Sequence, residues 1–250
     1  MPMFLNVEAF LLVGGKSSRM GRDKALLELN GTSLIQRTAQ LLAPLAAKTT
    51  LVTSATVAHF ESTVSSEDPK TPLNATTRKA ATSSATPENT NRYSNFGLPT
   101  LADRWPDAGP LGGIATALSA TKTPWCLILA CDMPFLSHEW LKFLLVQIAQ
   151  SESKAGASQS NSGAPRQTDI IIPETERGLE PLCAVYRSTC APTLAAALGR
   201  EVRKVTDAIA TLNLNRVTEE EWRRFSPGGN LFGNLNTWED YLETQKYLKS

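Results

Sequence analysis

The sequence predicts a single α/β domain, residues 1–250, built on a mostly parallel β-sheet. Short apolar, β-branched segments alternate along the chain with segments whose apolar residues recur at helical spacing. Turn dipeptides such as Asn30-Gly31 separate them. This alternation of strand and helix is typical of βαβ units, whose strands lie parallel in one sheet.

Individual elements follow from these patterns in chain order. Strands are predicted at residues 7–13, 49–54, 125–132, 169–173 and 182–187. Ser33 and Gln36 match a capping box before the first helix, and Thr237 and Asp240 match one before the last. Helices are predicted at residues 34–45, 137–150, 192–198, 201–212 and 237–247, with 218–225 as a further candidate. Residues 109–120 are predicted to be a Gly-rich turn that leads into a helix.

Two Ser/Thr-rich stretches interrupt the alternation, at about residues 61–93 and 151–168. They contain few large aliphatic side chains, so they bury too little surface to offset the entropy of ordering them. We expect flexible insertions on the surface of the domain.

Composition excludes several classes of function. The net charge is +1, which argues against broad electrostatic binding of nucleic acid or of an anionic membrane. No apolar run is long enough for a membrane span, and the N-terminus does not have the pattern of a signal peptide. The four cysteines form no C-x-x-C pair and are expected to be buried free thiols, as in a cytoplasmic protein.

A glycine-rich, cationic loop follows the first strand, in the sequence LLVGGKSSRMGRDKALL at residues 11–27. Its spacing fits neither the phosphate loop G-x-x-x-x-G-K-[ST] nor the dinucleotide fingerprint G-x-G-x-x-G. Gly14 and Gly15 nevertheless allow the backbone to approach oxygen atoms closely. Arg19 and Lys24 supply charge that can neutralise a leaving pyrophosphate. Because parallel sheets bind ligands at the carboxyl ends of their strands, the loop predicts a triphosphate site there.

Acidic residues are expected at the same edge of the sheet, where they would complement the cationic loop. Asp132 ends the strand WCLILACD, where a carboxylate facing the basic loop could bind Mg²⁺ that bridges phosphates; a turn or cap role is the alternative. Asp103 and Asp107 precede the Gly-rich segment GPLGGI. A carboxylate there could accept hydrogen bonds from the N1–H and N2–H₂ edge of guanine, and the sequence does not separate these two candidates.

Five segments together resemble a known family. LVGGKSSRMGRDK resembles the signature of nucleotidyltransferases of the sugar-nucleotide pyrophosphorylase type. GPLGGI, CDMPFL, EPLCAVY and NLNTWEDY resemble segments of the MobA-like molybdenum cofactor guanylyltransferases. The resemblance covers most of the chain outside the two insertions. It implies a Rossmann-like, mostly parallel three-layer sheet of the nucleotide-diphospho-sugar transferase type.

The resemblance also implies an activity, which is transfer of GMP from GTP to the phosphate of molybdopterin that carries molybdenum. Pyrophosphate leaves, Mg²⁺ is the cofactor, and a molybdoenzyme or its chaperone is a possible recipient of the product. The nucleophile would be a phosphate that is already anionic near neutral pH, so no general base is needed. Catalysis would then consist of positioning and charge neutralisation.

The resemblance assigns roles residue by residue. Arg19, Lys24 and Asp132 are the expected catalytic residues. Asp132 and Asn236 are expected at the metal, and Asn234 is expected either beside them or on the pterin side with Glu180 and Pro181. The expected nucleotide-binding residues are Leu12, Val13, Gly14, Gly15, Lys24, Asp103 and Asp132.

Two departures from the family pattern leave alternatives open. Val13 stands where the family usually has Ala, and Ser54 stands nearest to a position that is usually an Asn in contact with the nucleotide. The alternatives are a cytidylyltransferase acting on the same pterin, a nucleotidyltransferase acting on another small phosphate, and a catalytically silent nucleotide-binding regulator. Intact Lys24 and Asp132 argue against the last.

Overall fold

The structure, a computed structural model, describes residues 3–13, 23–54, 92–157, 167–226 and 228–248, with backbone alone at 154–157. Within these ranges the strands are β1 (Phe4–Val13), β2 (Glu28–Leu29), β3 (Thr32–Ser33), β4 (Ala46–Thr53), β5 (Thr100–Ala102), β6 (Trp125–Ala130), β7 (Ile170–Thr175), β8 (Gly178–Leu179), β9 (Cys183–Arg187) and β10 (Leu214–Val217). The α-helices are α1 (Leu34–Leu42), α2 (Pro110–Ala120), α3 (His138–Ala157), α4 (Ala191–Gly199), α5 (Val205–Ala208), α6 (Glu219–Arg223) and α7 (Trp238–Tyr247).

One large sheet organises the chain, with strands in the order β10-β7-β9-β6-β1-β4-β5 and with β8 paired to β7. β1 lies at the centre and is parallel to both β4 and β6. Only β9 runs against its neighbours β6 and β7 on this path. The predicted α/β class and the mostly parallel sheet are therefore confirmed.

The sheet is covered by helices on both faces. Val7, Ala9 and Leu11 of β1 are fully buried in a cluster with side chains of α1 and α3. Phe10, between them, packs in a second cluster with side chains of α2 and α4. Successive side chains of a strand point to opposite faces, so this alternation produces the expected three layers.

The glycines of GPLGGI allow α2 to pack closely at the sheet edge. A Cβ atom on Gly112 would lie 2.3 Å from the carbonyl oxygen of Trp105. One on Gly113 would lie 3.2 Å from Cδ2 of Leu12 at the end of β1. Any larger residue at position 112 would push the start of α2 away from the backbone of Trp105.

Both predicted capping boxes are present. Ser33 caps α1 through Gln36, and Thr237 caps α7 through Asp240. All four cysteines are buried and free, as expected. Among the described residues, no helix is both long and apolar enough to cross a membrane.

The helix predicted at 137–150 is longer than expected, because α3 continues to Ala157. The prediction of an insertion beginning at residue 151 is therefore wrong at its start. Ser151 is buried and its hydroxyl donates to the Ile148 carbonyl, while the Ser153 hydroxyl donates to that of Ala149. Serines that bond to the preceding turn in this way can remain within a helix.

The helix predicted at 201–212 is mostly wrong, since only Val205–Ala208 is helical as α5. Glu201 has a φ of 60°, in the left-handed region, and the Val202 amide donates back to the Ala197 carbonyl. This reverse turn ends α4, and a left-handed residue cannot begin a right-handed helix. The following strand β10, parallel to β7, was missed.

The C-terminal end of the first predicted insertion, at residue 93, also differs from expectation. Residues 61–91 lie outside the described residues, but Tyr93 is buried in the same cluster as α1 and α3. Strand β5 follows soon afterwards and pairs with β4. An ordered, buried Tyr93 shows that the insertion predicted at 61–93 ends before that residue.

Candidate nucleotide site

A cavity opens at the edge of the sheet where the central parallel strands end. The register places Leu12 beside Ala130 and Val13 beside Thr53, so these strands end at one level. The cavity lies against the strand ends and the turns that follow them. It is lined by Leu12, Val13, Asp23, Lys24, Ala25, Val52, Ser54, Asp103, Pro106, Gly109, Pro110, Gly113, Ala130, Cys131, Asp132 and Leu182.

Lys24 meets two oxygen-bearing side chains at one end of this cavity. Its Nζ lies 3.7 Å from Oδ2 of Asp132 and donates to Oδ1 of Asn236 at 3.1 Å. Asp132 follows β6, whereas Asn236 lies just before α7, more than two hundred residues from Lys24. The fold therefore assembles the predicted cation, acid and amide into one cluster.

Backbone contacts fix the segment that carries Asn236. The Leu235 amide donates to the Asp132 carbonyl at 3.0 Å, and the Leu235 side chain is buried. Asp240 accepts from the amides of Asn236 and Thr237, both at 2.8 Å. These two bonds hold the pKa of Asp240 below its usual value.

The Asp132 carboxyl is in a mixed electrostatic environment. Burial raises its pKa above the usual value, and the charge of Lys24 acts in the opposite direction. Its neighbour Cys131 also lines the cavity, and burial together with the Asp132 charge raises the pKa of that thiol. Cys131 therefore stays a neutral thiol.

Asp103 directly follows β5, which lies three strands along the sheet from β6, the strand that precedes Asp132. Oδ1 of Asp103 accepts from the Trp105 amide at 2.8 Å and from the Thr116 hydroxyl at 2.9 Å. Thr116 is fully buried on α2. Among the described residues, Oδ2 accepts no hydrogen bond, so one carboxylate oxygen remains available to a ligand.

The structure separates the two acids that sequence reasoning left open. Asp107 lies in a short 3₁₀ turn, Pro106–Ala108, and is exposed outside the cavity lining. Asp103 lines the cavity. Of the two candidates, Asp103 is therefore the acid that lines the cavity, and its Oδ2 is the oxygen left without a hydrogen bond among the described residues.

Asp23 was not a predicted site residue, yet it lines the cavity beside Lys24. Its Oδ1 accepts from the Ala25 amide at 3.1 Å. Its Oδ2 accepts from the Tyr93 hydroxyl at 2.6 Å and from the Arg92 guanidinium at 3.1 Å. No local sequence signal connects positions 23 and 93, so this contact could only come from the structure.

The oxygens of Asp132 and Asn236 suit a hard divalent cation. Mg²⁺ is commonly bound by one or two carboxylates and completed by substrate phosphates and water. The described residues contain no group of three or more His, Cys, Asp or Glu side chains that could hold a metal alone. The residues present therefore fit a metal that binds together with a phosphate ligand.

The remaining predicted residues are distributed differently. Gly14, Gly15 and Arg19 lie outside the described residues, between Val13 and Asp23, which both line the cavity. Glu180 and Pro181 are outside the lining but immediately precede Leu182, which belongs to it. Asn234 is exposed two residues before Asn236.

Comparison with known proteins relates the chain to one family of nucleotidyltransferases. The family model for the MobA-like NTP transferase domain matches residues 9–214. A probable molybdenum cofactor guanylyltransferase of Peptoclostridium acidaminophilum is 28% identical, over 93% of this chain and 85% of the relative. One of Pelotomaculum thermopropionicum is also 28% identical, over 96% and 93% of the two chains.

Solved structures share the fold at lower identity. Molybdopterin-guanine dinucleotide biosynthesis protein A from Archaeoglobus fulgidus superposes with a TM-score of 0.67 at 23% identity, over 97% of this chain and 98% of that one. The 2-C-methyl-D-erythritol 4-phosphate cytidylyltransferase from Thermus thermophilus gives a TM-score of 0.53 at 13% identity, over 96% and 98%. The three-layer fold is thus that of known nucleotidyltransferases.

Proposed function

Because this chain belongs to the MobA-like NTP transferase family, we propose that it transfers GMP from GTP to molybdopterin carrying molybdenum. Pyrophosphate leaves, and the product is the guanine dinucleotide form of the molybdenum cofactor. The names of the similar proteins from Peptoclostridium and Pelotomaculum support this choice of substrates. A molybdoenzyme or its chaperone would receive the product.

One observation carries the proposal. A single cavity holds a cation–carboxylate cluster, Lys24 with Asp132, and a separate carboxylate with one free oxygen, Asp103. The first suits a triphosphate and its metal, and the second suits the N1–H and N2–H₂ donors of guanine. Cytosine offers an exocyclic amine but no N–H at the adjacent ring position, so Asp103 favours GTP over CTP.

The protein groups act here by positioning and by neutralising charge. Lys24 is assigned to the phosphates, where its ammonium offsets negative charge that accumulates as pyrophosphate departs. It now donates to Asn236 and lies beside Asp132, so a bound phosphate would exchange with those oxygens. Gly14, Gly15, Arg19, Leu12 and Val13 are assigned to the nucleotide by backbone and charge.

Mg²⁺ is the divalent cation that we assign to Asp132 and Asn236. When bound, it would draw negative charge from the phosphate oxygens and align the reacting phosphorus. Asp132 serves this role as a carboxylate, and Asn236 through its amide oxygen. The backbone bond between Leu235 and Asp132 keeps the two side chains together before any ligand arrives.

The acceptor needs no base from the protein, because the phosphate of molybdopterin is already an anionic nucleophile. Glu180, Pro181 and Asn234 are assigned to the pterin side, on the grounds that the first two adjoin Leu182 in the cavity wall. Glu180 is partly buried, and burial raises its pKa.

The test is a choice of nucleotide. The purified chain is incubated with Mg²⁺ and molybdenum-loaded molybdopterin, with GTP or CTP labelled at the α-phosphate. We expect label in the pterin dinucleotide from GTP and release of pyrophosphate. Incorporation from CTP and not from GTP would replace the proposal with the cytidylyl reaction. Nucleotide binding without transfer from either would favour a silent regulator.

A further inference from the structure

Tyr93 connects the hydrophobic core to the carboxylate beside Lys24. Its ring is 4% exposed and packs in the core cluster that contains side chains of α1 and α3. Its hydroxyl donates to Oδ2 of Asp23 at 2.6 Å, a short bond to a charged acceptor. A buried ring has few alternative positions, so this hydroxyl fixes the place of the carboxylate.

Asp23 transmits that position to Lys24 through the backbone. Its Oδ1 accepts from the Ala25 amide and caps the 3₁₀ turn Lys24–Leu26. The turn is closed by the Leu27 amide, which donates to the Lys24 carbonyl at 3.0 Å. The orientation of the Lys24 main chain, and hence the direction of its side chain, depends on this cap.

The two carboxylates beside Lys24 have different surroundings. Asp23 is 13% exposed at its side chain and has both oxygens engaged, one by Ala25 and the other by Tyr93 and Arg92. Asp132 has Lys24 as its charged neighbour. Asp23 therefore has little capacity to bind a metal.

We propose that Tyr93 is a positioning residue for the transfer reaction: through Asp23, it holds Lys24 where its ammonium meets the phosphates. The inference rests on the phosphate role that the proposed function gives to Lys24. Arg92 has a weaker part, because its side chain is 53% exposed and its ion pair is screened by solvent.

A double-mutant cycle between Tyr93 and Lys24 separates positioning from general stability. The variants are Tyr93→Phe, Lys24→Met and the pair, in the full chain, and calorimetry measures the dissociation constant of magnesium tripolyphosphate. Tyr93→Phe should weaken binding about fivefold in the wild-type background. It should change nothing in the Lys24→Met background, because the residue it positions has been removed.

Tyr241→Phe is the matched control. It also removes one tyrosine hydroxyl, which donates to the Glu28 carbonyl outside the cavity. It should leave tripolyphosphate binding unchanged in both backgrounds. An equal loss from Tyr93→Phe in both backgrounds, or no loss in the wild type, would overturn the proposal.

A second variant covers the case in which Tyr93→Phe does not fold. Arg92→Gln alters an exposed side chain and should weaken binding about twofold in the wild type and not at all beside Lys24→Met. No loss, or the same loss in both backgrounds, would again overturn the inference. Failure of the wild type to transfer GMP would refute the proposed function alone, since tripolyphosphate carries no base.

Discussion

The two ends of the cavity hold their charged groups in different ways. At one end, Asp103 is fixed by two hydrogen bonds from its own surroundings, donated by the Trp105 amide and the buried Thr116 hydroxyl. At the other, the Lys24 Nζ lies 3.7 Å from Oδ2 of Asp132 and donates to Oδ1 of Asn236 at 3.1 Å, and these two oxygens also suit a metal. The first end is preorganised, whereas under the proposed function the second would exchange its partners for a bound phosphate.

This difference suits the roles that we propose for the two ends. Discrimination between bases requires an acceptor that cannot move to suit the wrong base, because a fixed, unpaired polar group penalises the mismatch. Binding a triphosphate requires charges that are compensated before the ligand arrives. An isolated buried ammonium or carboxylate would be costly in the free protein.

The largest effect is expected at Asp132. Asp132→Asn keeps the shape of the side chain but removes the charge that would hold the metal, so kcat should fall about 10³-fold. Thermal unfolding should stay close to that of the wild type, since the variant removes a carboxylate whose burial is unfavourable. Steady-state transfer assays measure the effect, with exposed Asp207→Asn as control. Undiminished turnover would exclude Asp132 from the metal.

Lys24→Met should lower kcat about 10²-fold, because the side chain keeps its length but no longer offsets phosphate charge. The matched variant is Lys122→Met, at a lysine on the turn after α2 and outside the cavity lining. A continuous assay of pyrophosphate release measures the turnover of both variants. A Lys24→Met enzyme as fast as the Lys122→Met control would contradict the account.

The pH profile should report the Asp132 carboxyl. Burial raises its pKa, so the ionised form needed for the metal is lost, as pH falls, at a higher pH than for an ordinary aspartate. We expect kcat/KM to decline about tenfold per pH unit below that point. Because the Lys24 ammonium lowers this pKa, the acid limb should move to higher pH in Lys24→Met. An acid limb at the same pH in Lys24→Met and in the wild type would contradict electrostatic coupling between Lys24 and Asp132.

A smaller effect is expected at the base end, from Thr116→Val. The variant removes the hydroxyl that donates to Asp103 and accepts from the Arg104 amide. Unfolding free energy should drop by about 1–2 kcal/mol, and GTP should bind about fivefold more weakly as Asp103 loosens. Thr38→Val, a buried threonine bonded within α1, should share the stability loss and keep GTP affinity. Equal GTP affinity in the two variants would contradict the role of Thr116.

Much of the fold was predictable because hydrophobic periodicity and capping boxes are local signals. α1 and α7 begin where Ser33 and Thr237 indicated. The helix expected at 201–212 failed for a reason that no local pattern expresses, the left-handed turn at Glu201. β10 is a short strand whose identity depends on pairing with β7, so tertiary context decides it.

The candidate site was also predictable only in part. Lys24 was found from the cationic loop, Asp132 from its place at a strand end, and Asp103, together with Asp107, from its place before GPLGGI. The structure brings Lys24, Asp132 and Asp103 to one cavity. Thr116 and Tyr93 were missed, because their roles come from contacts with residues distant in sequence. A side chain that orients another leaves no motif of its own in the chain.

The division of the cavity into a base end and a phosphate end is tested by measuring two ligands on two variants. Affinities for magnesium-GTP and magnesium tripolyphosphate are determined by calorimetry for Asp103→Asn and Lys24→Met, with Asp107→Asn as control. Asp103→Asn presents an amide donor to the donors of guanine, so GTP affinity should fall about tenfold while tripolyphosphate affinity is unchanged. Lys24→Met should weaken both ligands. Equal weakening of both by Asp103→Asn, or of neither, would contradict the division of the cavity into a base end and a phosphate end.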